Sequence, residues 1–313
     1  MKKGQITFFI ILAIVLLIII ISLIFLTKSV LMKKIEQETK ISEETKLNIQ
    51  PIKNFVDACL EKVSKEALIL MGKQGGYIYK SQGGTLIDYD KRDEGIDFIY
   101  YPANQYKVSY LIYPPRLASG PTYFSEAPKY PWTHFPYSSD TSTEESFTGY
   151  FGVSNLAPLT RSFGPHSMRE QLKTYIESNF EKCADFSAFE KQGLEINKGK
   201  PVVDVDMAEN DVNFKLTYPL EIENPITKER TALRDFFSKR NIRLKKIHFF
   251  IQDLILKDIS DVKFDIASKK NFRDSLSVEV IRDFYNKDDI IIVKDEKSLI
   301  DTKPFEFVFA RHN

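Results

Sequence analysis

The sequence predicts an α+β protein in which an N-terminal transmembrane helix and a stalk precede a region of mixed helices and antiparallel sheet. Three observations support this prediction. Residues 6–26 form an uninterrupted apolar run, residues 51–72 carry apolar side chains at helical spacing, and several short runs beyond residue 96 alternate with a period of two. The predicted divisions are a flank at 1–4, the transmembrane helix at 5–27, the stalk at 28–50, and two α+β regions at 51–166 and 167–313.

The apolar run near the N-terminus is long enough to cross a bilayer. From Ile6 to Leu26 there are 21 residues without a charge or a proline, and 18 of them are Ile, Leu, Val or Phe. A helix of this length is roughly 30 Å long, which matches the hydrocarbon core of a bilayer, and its insertion is favourable by about 5–11 kcal/mol. A cleaved secretory signal has a shorter apolar region and a small-x-small cleavage site, and none follows Leu26. The run therefore predicts a retained single-pass anchor in the lipid bilayer.

A polar stretch and a long helix follow the anchor. Residues 28–50 are rich in Lys, Glu, Thr and Gln and only weakly periodic, which predicts a stalk. Pro51 suits the first turn of a helix over 51–72, whose apolar residues recur with the spacing of one buried face. Cys59 lies on that face. Gly72 is expected to end the helix.

The chain has two cysteines, Cys59 and Cys183. A second helix is predicted over 167–193, and its residues 175–182 weakly echo residues 55–62 of the first helix, which suggests that the two helices pack side by side. One disulfide is expected if the domain lies in an oxidising space, provided that the Cα atoms come within about 7 Å. Two buried thiols that never pair are the alternative, and the sequence leaves it open.

A long loop separates the two helices after two predicted strands. The runs 96–102 and 106–115 read as strands that end at prolines. The stretch 114–166 contains eight prolines among Ser, Thr, Gly and aromatic residues, and loops of this length in compact domains are typically binding loops or insertions. Its densest aromatic group is a candidate contact surface for a protein or glycan, or else pins the loop to the sheet. The group consists of Tyr130, Trp132, His134, Phe135 and Tyr137.

The C-terminal third shows the period of strands with one helix between them. Residues 201–222 predict a hairpin that turns at 209–211, and residues 241–259 predict a helix. Three final strands are predicted at 276–285, 288–296 and 304–313, with a turn through 295–302 between the last two.

Several kinds of chemistry are not indicated. The formal net charge of +1 and the lack of a basic run argue against a nucleic-acid partner. The four histidines lack zinc-site spacing, and no nucleophile elbow or Walker lysine occurs. His248, in an apolar helix, reads as a core residue. The prediction is therefore a protein without catalytic residues, cofactor or metal, and not an enzyme.

Two further patterns are explained by local structure. Two Gln-Gly-Gly triplets at 74–76 and 82–84 read as turns around a short strand, because no helix follows them at the spacing of a phosphate-binding loop. The acidic residues between 204 and 211 lack the glycine and the twelfth-position Glu of an EF-hand loop. They are expected on solvated strand faces and a turn.

The N-terminal segment KKGQITFFIILAIVLL resembles the class III signal of archaeal pilin-like proteins. The resemblance implies cleavage between Gly4 and Gln5 by a prepilin-type peptidase on the cytoplasmic side, with the helix retained. Thr7 matches the small hydroxyl position of that family. Phe9 stands where the family usually has the glutamate associated with subunit assembly. The resemblance therefore implies processing, whereas Phe9 argues against filament formation. An uncleaved cytoplasmic flank at 1–4 is the alternative.

The remainder of the chain resembles membrane-anchored surface proteins of DPANN archaea. The segments that carry this resemblance span most of 50–313 and read FVDACLEKVSKEAL, LMGKQGGYI, YIESNFEKCADFSAFEKQG, VNFKLTYPLEI and PFEFVFA. The group brings no established activity or site residues. What it implies is a surface location and a fold outline.

Together these observations predict a single-pass cell-membrane protein with a structural, adhesive or cell-contact role, or a pilin-like one. Lysines flank both ends of the anchor, so the positive-inside rule does not decide the orientation. The pilin resemblance and the cysteine pair favour a cytoplasmic N-terminus and an extracellular domain. The expected partners are the bilayer, other surface proteins or glycans, and further copies through the transmembrane helix. The alternative is a membrane-tethered extracellular enzyme acting on glycans or envelope polymer, which two carboxylates about 5–10 Å apart in a cleft would favour.

Overall fold

The computed structural model describes residues 47–86, 97–113, 153–160, 166–261, 264–285 and 288–312. The predicted processing junction, the transmembrane helix, most of the stalk and the aromatic group at 130–137 lie outside these residues and stay predictions. Within the described ranges no helix is both long enough and apolar enough to span a membrane.

The described part of the chain has an α+β fold. The helices are α1 (Gln50–Lys73), α2 (Met168–Cys183), α3 (Ser187–Glu190) and α4 (Leu244–Ser260), with short 3-10 turns at Lys80–Gln82 and Lys269–Asn271. The strands are β1 (Phe98–Tyr101), β2 (Tyr106–Tyr113), β3 (Val153–Ser154), β4 (Glu195–Lys198), β5 (Val202–Met207), β6 (Val212–Asn224), β7 (Glu229–Arg240), β8 (Leu276–Tyr285), β9 (Asp288–Ile300) and β10 (Lys303–Arg311). They form two sheets.

Helix α1 confirms the first predicted helix. Pro51 occupies its first turn, where a missing N–H costs nothing, and a buried stripe runs along one side of the helix. The helix packs very closely on β10: a Cβ on Gly72 would lie 2.6 Å from the ring of Phe305. Two glycines with positive φ then end the helical path, Gly75 at 71° and Gly76 at 87°.

The segment between the two Gln-Gly-Gly triplets is not a strand. Tyr79 makes only an isolated bridge to Leu86, and a 3-10 turn follows at once. The backbone passes so close to itself here that a Cβ on Gly84 would lie 2.1 Å from the carbonyl oxygen of Ile78. The expectation of turns is confirmed, and the expectation of a strand between them is wrong because the loop closes too tightly.

Helix α2 starts where predicted but ends about ten residues early. The Ser167 hydroxyl caps it by accepting a hydrogen bond from the backbone N–H of Glu170 at 3.2 Å. After Cys183 the chain leaves the helix, and the Asp185 carboxylate accepts hydrogen bonds from the N–H and the hydroxyl of Ser187, both at 3.0 Å. This local turn around Asp185 separates α2 from the short helix α3.

The first sheet has the order β1-β2-β10-β9-β8, with β3 paired to β2. Strand β10 runs parallel to β2, so this sheet is mixed, whereas the sequence predicts an antiparallel one; its other strand pairs are antiparallel. The rings of Tyr101 in β1 and Phe284 in β8 lie 5.2 Å apart although these strands stand at opposite ends of the order. The sheet therefore curls, and its inner concave face holds a small separate apolar cluster.

The β9–β10 connection is tighter than predicted. Strand β9 continues to Ile300, and the turn consists of Asp301 and Thr302, both with positive φ. Asp295, which the sequence places in a turn, is fully buried and accepts hydrogen bonds from the Arg243 guanidinium. This buried pair holds the strand in place where its polar sequence suggests a loop.

The second sheet is antiparallel and is centred on β6. Strands β5 and β6 confirm the predicted hairpin, and β4 pairs with the distal half of β6. Strand β7 pairs with β6 along the other side and was not predicted. One main core collects side chains from α1, α2, α4 and both sheets, so residues from both predicted regions share it. The boundary drawn at 166/167 stays a prediction.

Candidate functional site

The two cysteines meet between helices α1 and α2. Cys59 and Cys183 form a disulfide with their Cα atoms 5.6 Å apart, and Cys59 is only 3% exposed. The bridge that the sequence left open is therefore present, and the side-by-side packing of the two helices is confirmed. Because 124 residues separate the cysteines, the bond closes a large part of the domain into one covalent loop.

Aromatic side chains pack one helical turn away from the disulfide. The ring of Phe55 lies 5.6 Å from the ring of Phe186 and 5.6 Å from that of Phe189, and Phe186 stacks on Tyr218 at 6.4 Å. Burial raises the pKa of the Tyr218 hydroxyl to about 12, so this phenol stays neutral in the physiological range. The cluster ties the start of α1 to α3 and to β6.

A buried charge network lies where α4, β9 and β10 meet. The Arg311 guanidinium bonds the Asp258 carboxylate at 2.8 Å and also the Asp289 carboxylate, and all three side chains are almost completely buried. A guanidinium suits this position because its planar fork satisfies two carboxylates at once. The network links a helix to two central strands.

An imidazole forms the solvent-facing edge of the same network. His312 Nδ1 lies 3.0 Å from the buried Asp288 carboxylate, which also accepts a hydrogen bond from the Tyr110 hydroxyl at 2.6 Å. The hydrogen bond to Asp288 raises the pKa of His312, and the side chain is 47% exposed. His312 therefore presents a titratable group to solvent at this edge, while Asp288 is engaged with the imidazole and with the Tyr110 hydroxyl.

A groove of about 740 Å³ runs beside α4 and the segment 154–160. His248 lies on its wall and is buried, which agrees with the reading as a core residue. Its Nε2 atom is 2.8 Å from the Ala157 carbonyl oxygen, so Nε2 carries the hydrogen and donates. Burial lowers the pKa of His248, which keeps the ring neutral. Phe249 and Leu256 are exposed along the same groove.

The acidic residues near the β5–β6 turn are engaged in ion pairs. Arg169 bonds Asp204 at 2.6 Å and holds the pKa of that carboxyl below its usual range. Lys239 pairs with Asp211 at 2.8 Å. In the described ranges no three His, Cys, Asp or Glu side chains converge as metal ligands. The structure thus supports the reading of these acids as solvated strand faces and a turn.

Two carboxylates share a hollow on the outer face of the second sheet. Glu221 and Glu223 line a depression of about 510 Å³. They are two residues apart on β6 and so about 7 Å apart along the strand. Glu223 is paired with the Arg230 guanidinium at 2.8 Å. Two carboxylates in one hollow are the arrangement that the sequence analysis associates with a glycan-cleaving enzyme.

Comparisons with known proteins add no assignment. No protein-family model matches the chain. No curated protein matches it, and no solved structure does. Function is therefore argued from the residues themselves.

Sequence reasoning missed the Arg311 network for a definable reason. Its members are spread from Tyr110 to His312 and meet only after α4 docks on the curled sheet. One signal was available: Asp288 and Asp289 directly precede the buried run Ile290–Val293, and Arg311 directly follows the buried Phe307–Ala310. Charged residues at the ends of fully buried strands indicate that a partner charge is close.

Proposed function

We propose that the protein is a single-pass membrane protein with a cytoplasmic N-terminus, whose external α+β region has a structural, adhesive or cell-contact role at the surface of an archaeal cell. The observation that carries this proposal is the buried Cys59–Cys183 disulfide. Disulfides persist in oxidising, extracytoplasmic spaces and are rare in the cytosol. Combined with the predicted span at 6–26, the bridge favours an external domain.

The way the chain enters the domain supports the same proposal. Helix α1 begins at Gln50, the last residue of the predicted stalk, and it forms a central part of the main core. An anchor at 6–26 would therefore be joined to the domain through a helix of its main core. Such a connection suits a domain held away from the lipid surface.

The proposed contact surface is the aromatic group at 130–137. The segment that contains it connects Tyr113 to Val153, and these two residues pair with each other across β2 and β3. Both ends of the segment are thus fixed at one point of the mixed sheet. The proposed partners are proteins or glycans, because an aromatic-rich tract offers stacking and hydrogen-bonding groups to both.

The location is tested by adding a protease to intact cells that express the full chain with a C-terminal epitope. The epitope is expected to be lost while a cytoplasmic marker protein survives. Protection of the epitope until the cells are lysed would refute the external location. Mass spectrometry of the mature N-terminus decides the processing: a chain starting at Gln5 supports the pilin-type pathway, and one starting at Met1 an ordinary anchor.

The contact role is tested with Trp132→Ala and Tyr130→Ala in a cell-binding or glycan-array assay. Phe272→Ala is the matched control, because Phe272 is an exposed aromatic residue outside the loop. Both loop variants are expected to lose binding and the control to retain it. Equal binding by all three variants would remove the loop from the proposal.

The Glu221–Glu223 pair keeps a second candidate function open, a membrane-tethered enzyme acting on glycans or envelope polymer. A separation of about 7 Å is compatible with paired carboxylate chemistry. The test measures the release of reducing sugars from isolated envelope by the wild type, Glu221→Gln and Glu223→Gln. Release by the wild type that both variants abolish would favour the enzyme over the structural role.

A further inference from the structure

Strand β7 leaves a long sheet edge open. Glu229–Arg240 pairs with β6 on one side only, and along its other edge the described part of the chain supplies no strand partner. The strand has 12 residues and no proline, whereas typical strands have about 5–6. Edges of this length usually are protected, because their free N–H and C=O groups can bind another strand.

The side chains of β7 that face the core are odd-numbered in its first half and even-numbered in its second half. Leu233 and Phe236 both face the core, although residues three apart on a regular strand point to opposite faces. The cause is an irregularity in the pairing with β6. Thr217 pairs with Asp235 and Leu220 pairs with Leu233, so three positions on β6 lie opposite two positions on β7. The change of face is centred between Arg234 and Asp235.

This change of face selects one way for two copies of β7 to pair. In a two-fold antiparallel pair that extends a sheet, paired residues must lie on the same face. Only a register centred between Arg234 and Asp235 meets this condition along the whole strand. It places Arg234 opposite Asp235, Leu233 opposite Phe236, Ala232 opposite Phe237, Thr231 opposite Ser238, Arg230 opposite Lys239, and Glu229 opposite Arg240.

The central pairs of this register are complementary. Arg234 is exposed and has no salt bridge within the described residues, and it would meet Asp235 of the second copy twice across the symmetry axis. Asp235 is held in place by the Thr217 hydroxyl, which donates to it at 3.0 Å, and it lies 3.8 Å from the exposed Lys215 ammonium, a long ion pair that leaves it able to accept Arg234. Phe237 is 66% exposed and would cover Ala232, which lines the hollow on the outer face.

The one like-charged pair is already neutralised within each copy. Arg230 is paired with Glu223 at 2.8 Å and Lys239 with Asp211 at 2.8 Å. Their approach across the axis therefore brings together two ion pairs. At the strand ends Glu229 meets Arg240, whose guanidinium is already paired with Glu61 of α1 at 3.0 Å, so these ends add little to the pairing. The charged side chains of β7 are thus compatible with β7 of a second copy, whereas they would repel a strand with a different charge pattern.

We propose that the β7 edge is a dimer interface. A second copy of this chain pairs its own β7 antiparallel to it, so that the second sheets of the two copies form one continuous sheet. The inference goes beyond the proposed surface role and does not depend on it. It also differs from association through the transmembrane helix, because the contact lies in the folded domain and is specified by side-chain pairs.

The test uses charge swapping in the full chain in detergent, with mass measured by analytical ultracentrifugation at micromolar concentrations. Arg234→Asp places two acids, and Asp235→Arg two arginines, at the centre of the strand. Each variant alone is expected to self-associate about tenfold more weakly than the wild type or worse. Mixing the two variants restores opposite charges at both central positions, so heterodimers are expected.

Asp206→Arg is the matched control for Asp235→Arg. Asp206 is exposed in β5 of the same sheet, and its substitution gives the same change of charge away from the β7 edge. Thermal unfolding of every variant verifies folding. A second measurement uses Ala232→Cys combined with Phe237→Cys, which is expected to give an intermolecular disulfide on mild oxidation. A monomeric wild type, or a dimer unaffected by either central variant, would overturn the proposal. Failure of the mixture to form heterodimers from two folded monomeric variants would also refute this register.

Discussion

Removal of the Cys59–Cys183 bond should cost the domain a large part of its stability. The bond joins residues separated by 124 positions, so reduction releases a loop of that size in the unfolded chain. The chain-entropy relation gives about 5 kcal/mol for such a loop at 25 °C. Domains are typically stable by about 5–15 kcal/mol, so the reduced protein is expected to be marginal.

The assay is urea unfolding of the full chain in detergent, followed by circular dichroism. Three samples separate the contributions: the oxidised wild type, the wild type with reductant, and the variant with Cys59→Ala and Cys183→Ala. Reduction leaves the side chains in place and isolates loop closure, whereas the double variant adds a small cavity because Cys59 is buried. The reduced wild type is therefore expected to be more stable than the double variant.

A loss below about 1 kcal/mol on reduction would contradict this reasoning. Such a result would mean that the unfolded chain keeps α1 and α2 together without the bond, so that closing the loop has little entropic effect. An unchanged transition with reductant, together with free thiols in peptide mapping, would show that the bond does not form.

Two further predictions concern the buried charge network. Arg311→Met should destabilise the domain by about 3–5 kcal/mol, because Asp258 and Asp289 lose their shared buried cation; the shift in the urea midpoint measures it. His312 has a raised pKa in the folded protein, so its ion pair with Asp288 contributes fully below the ordinary histidine pKa near 6.5 and is lost as the pH rises through the higher folded value. The melting-temperature difference between the wild type and His312→Gln should therefore shrink from acidic to alkaline pH, and a difference that grows would contradict the assignment.

Elements with a clean local period could be predicted from the sequence. Helix α1, the β5–β6 hairpin and helix α4 each show one apolar face over most of their length, and the structure forms them there. Their burial is decided within a single element, so the pattern is readable without knowing the neighbours.

Elements set by distant contacts could not be predicted. Strand β7 has no regular alternation, because its faces exchange at Arg234–Asp235, and this exchange depends on the register against β6. The parallel pairing of β2 with β10 joins residues about 200 positions apart, which leaves no local pattern. Asp295 has the sequence context of a turn residue, and only its hydrogen bond from the distant Arg243 explains why it lies in a buried strand.

The position of the disulfide also limits how far the domain can yield under tension. A pull transmitted from a membrane anchor would reach the core at Leu47 and Ile49 and then α1, of which only residues 50–58 precede the covalent bond at Cys59. Nine residues that unwind from helix to extended chain lengthen the tether by about 18 Å. Beyond that extension the pull passes through the sulfur atoms to α2, while residues 59–73 keep their place in the core. The disulfide would thus limit force-induced unfolding of α1 to the residues that precede Cys59.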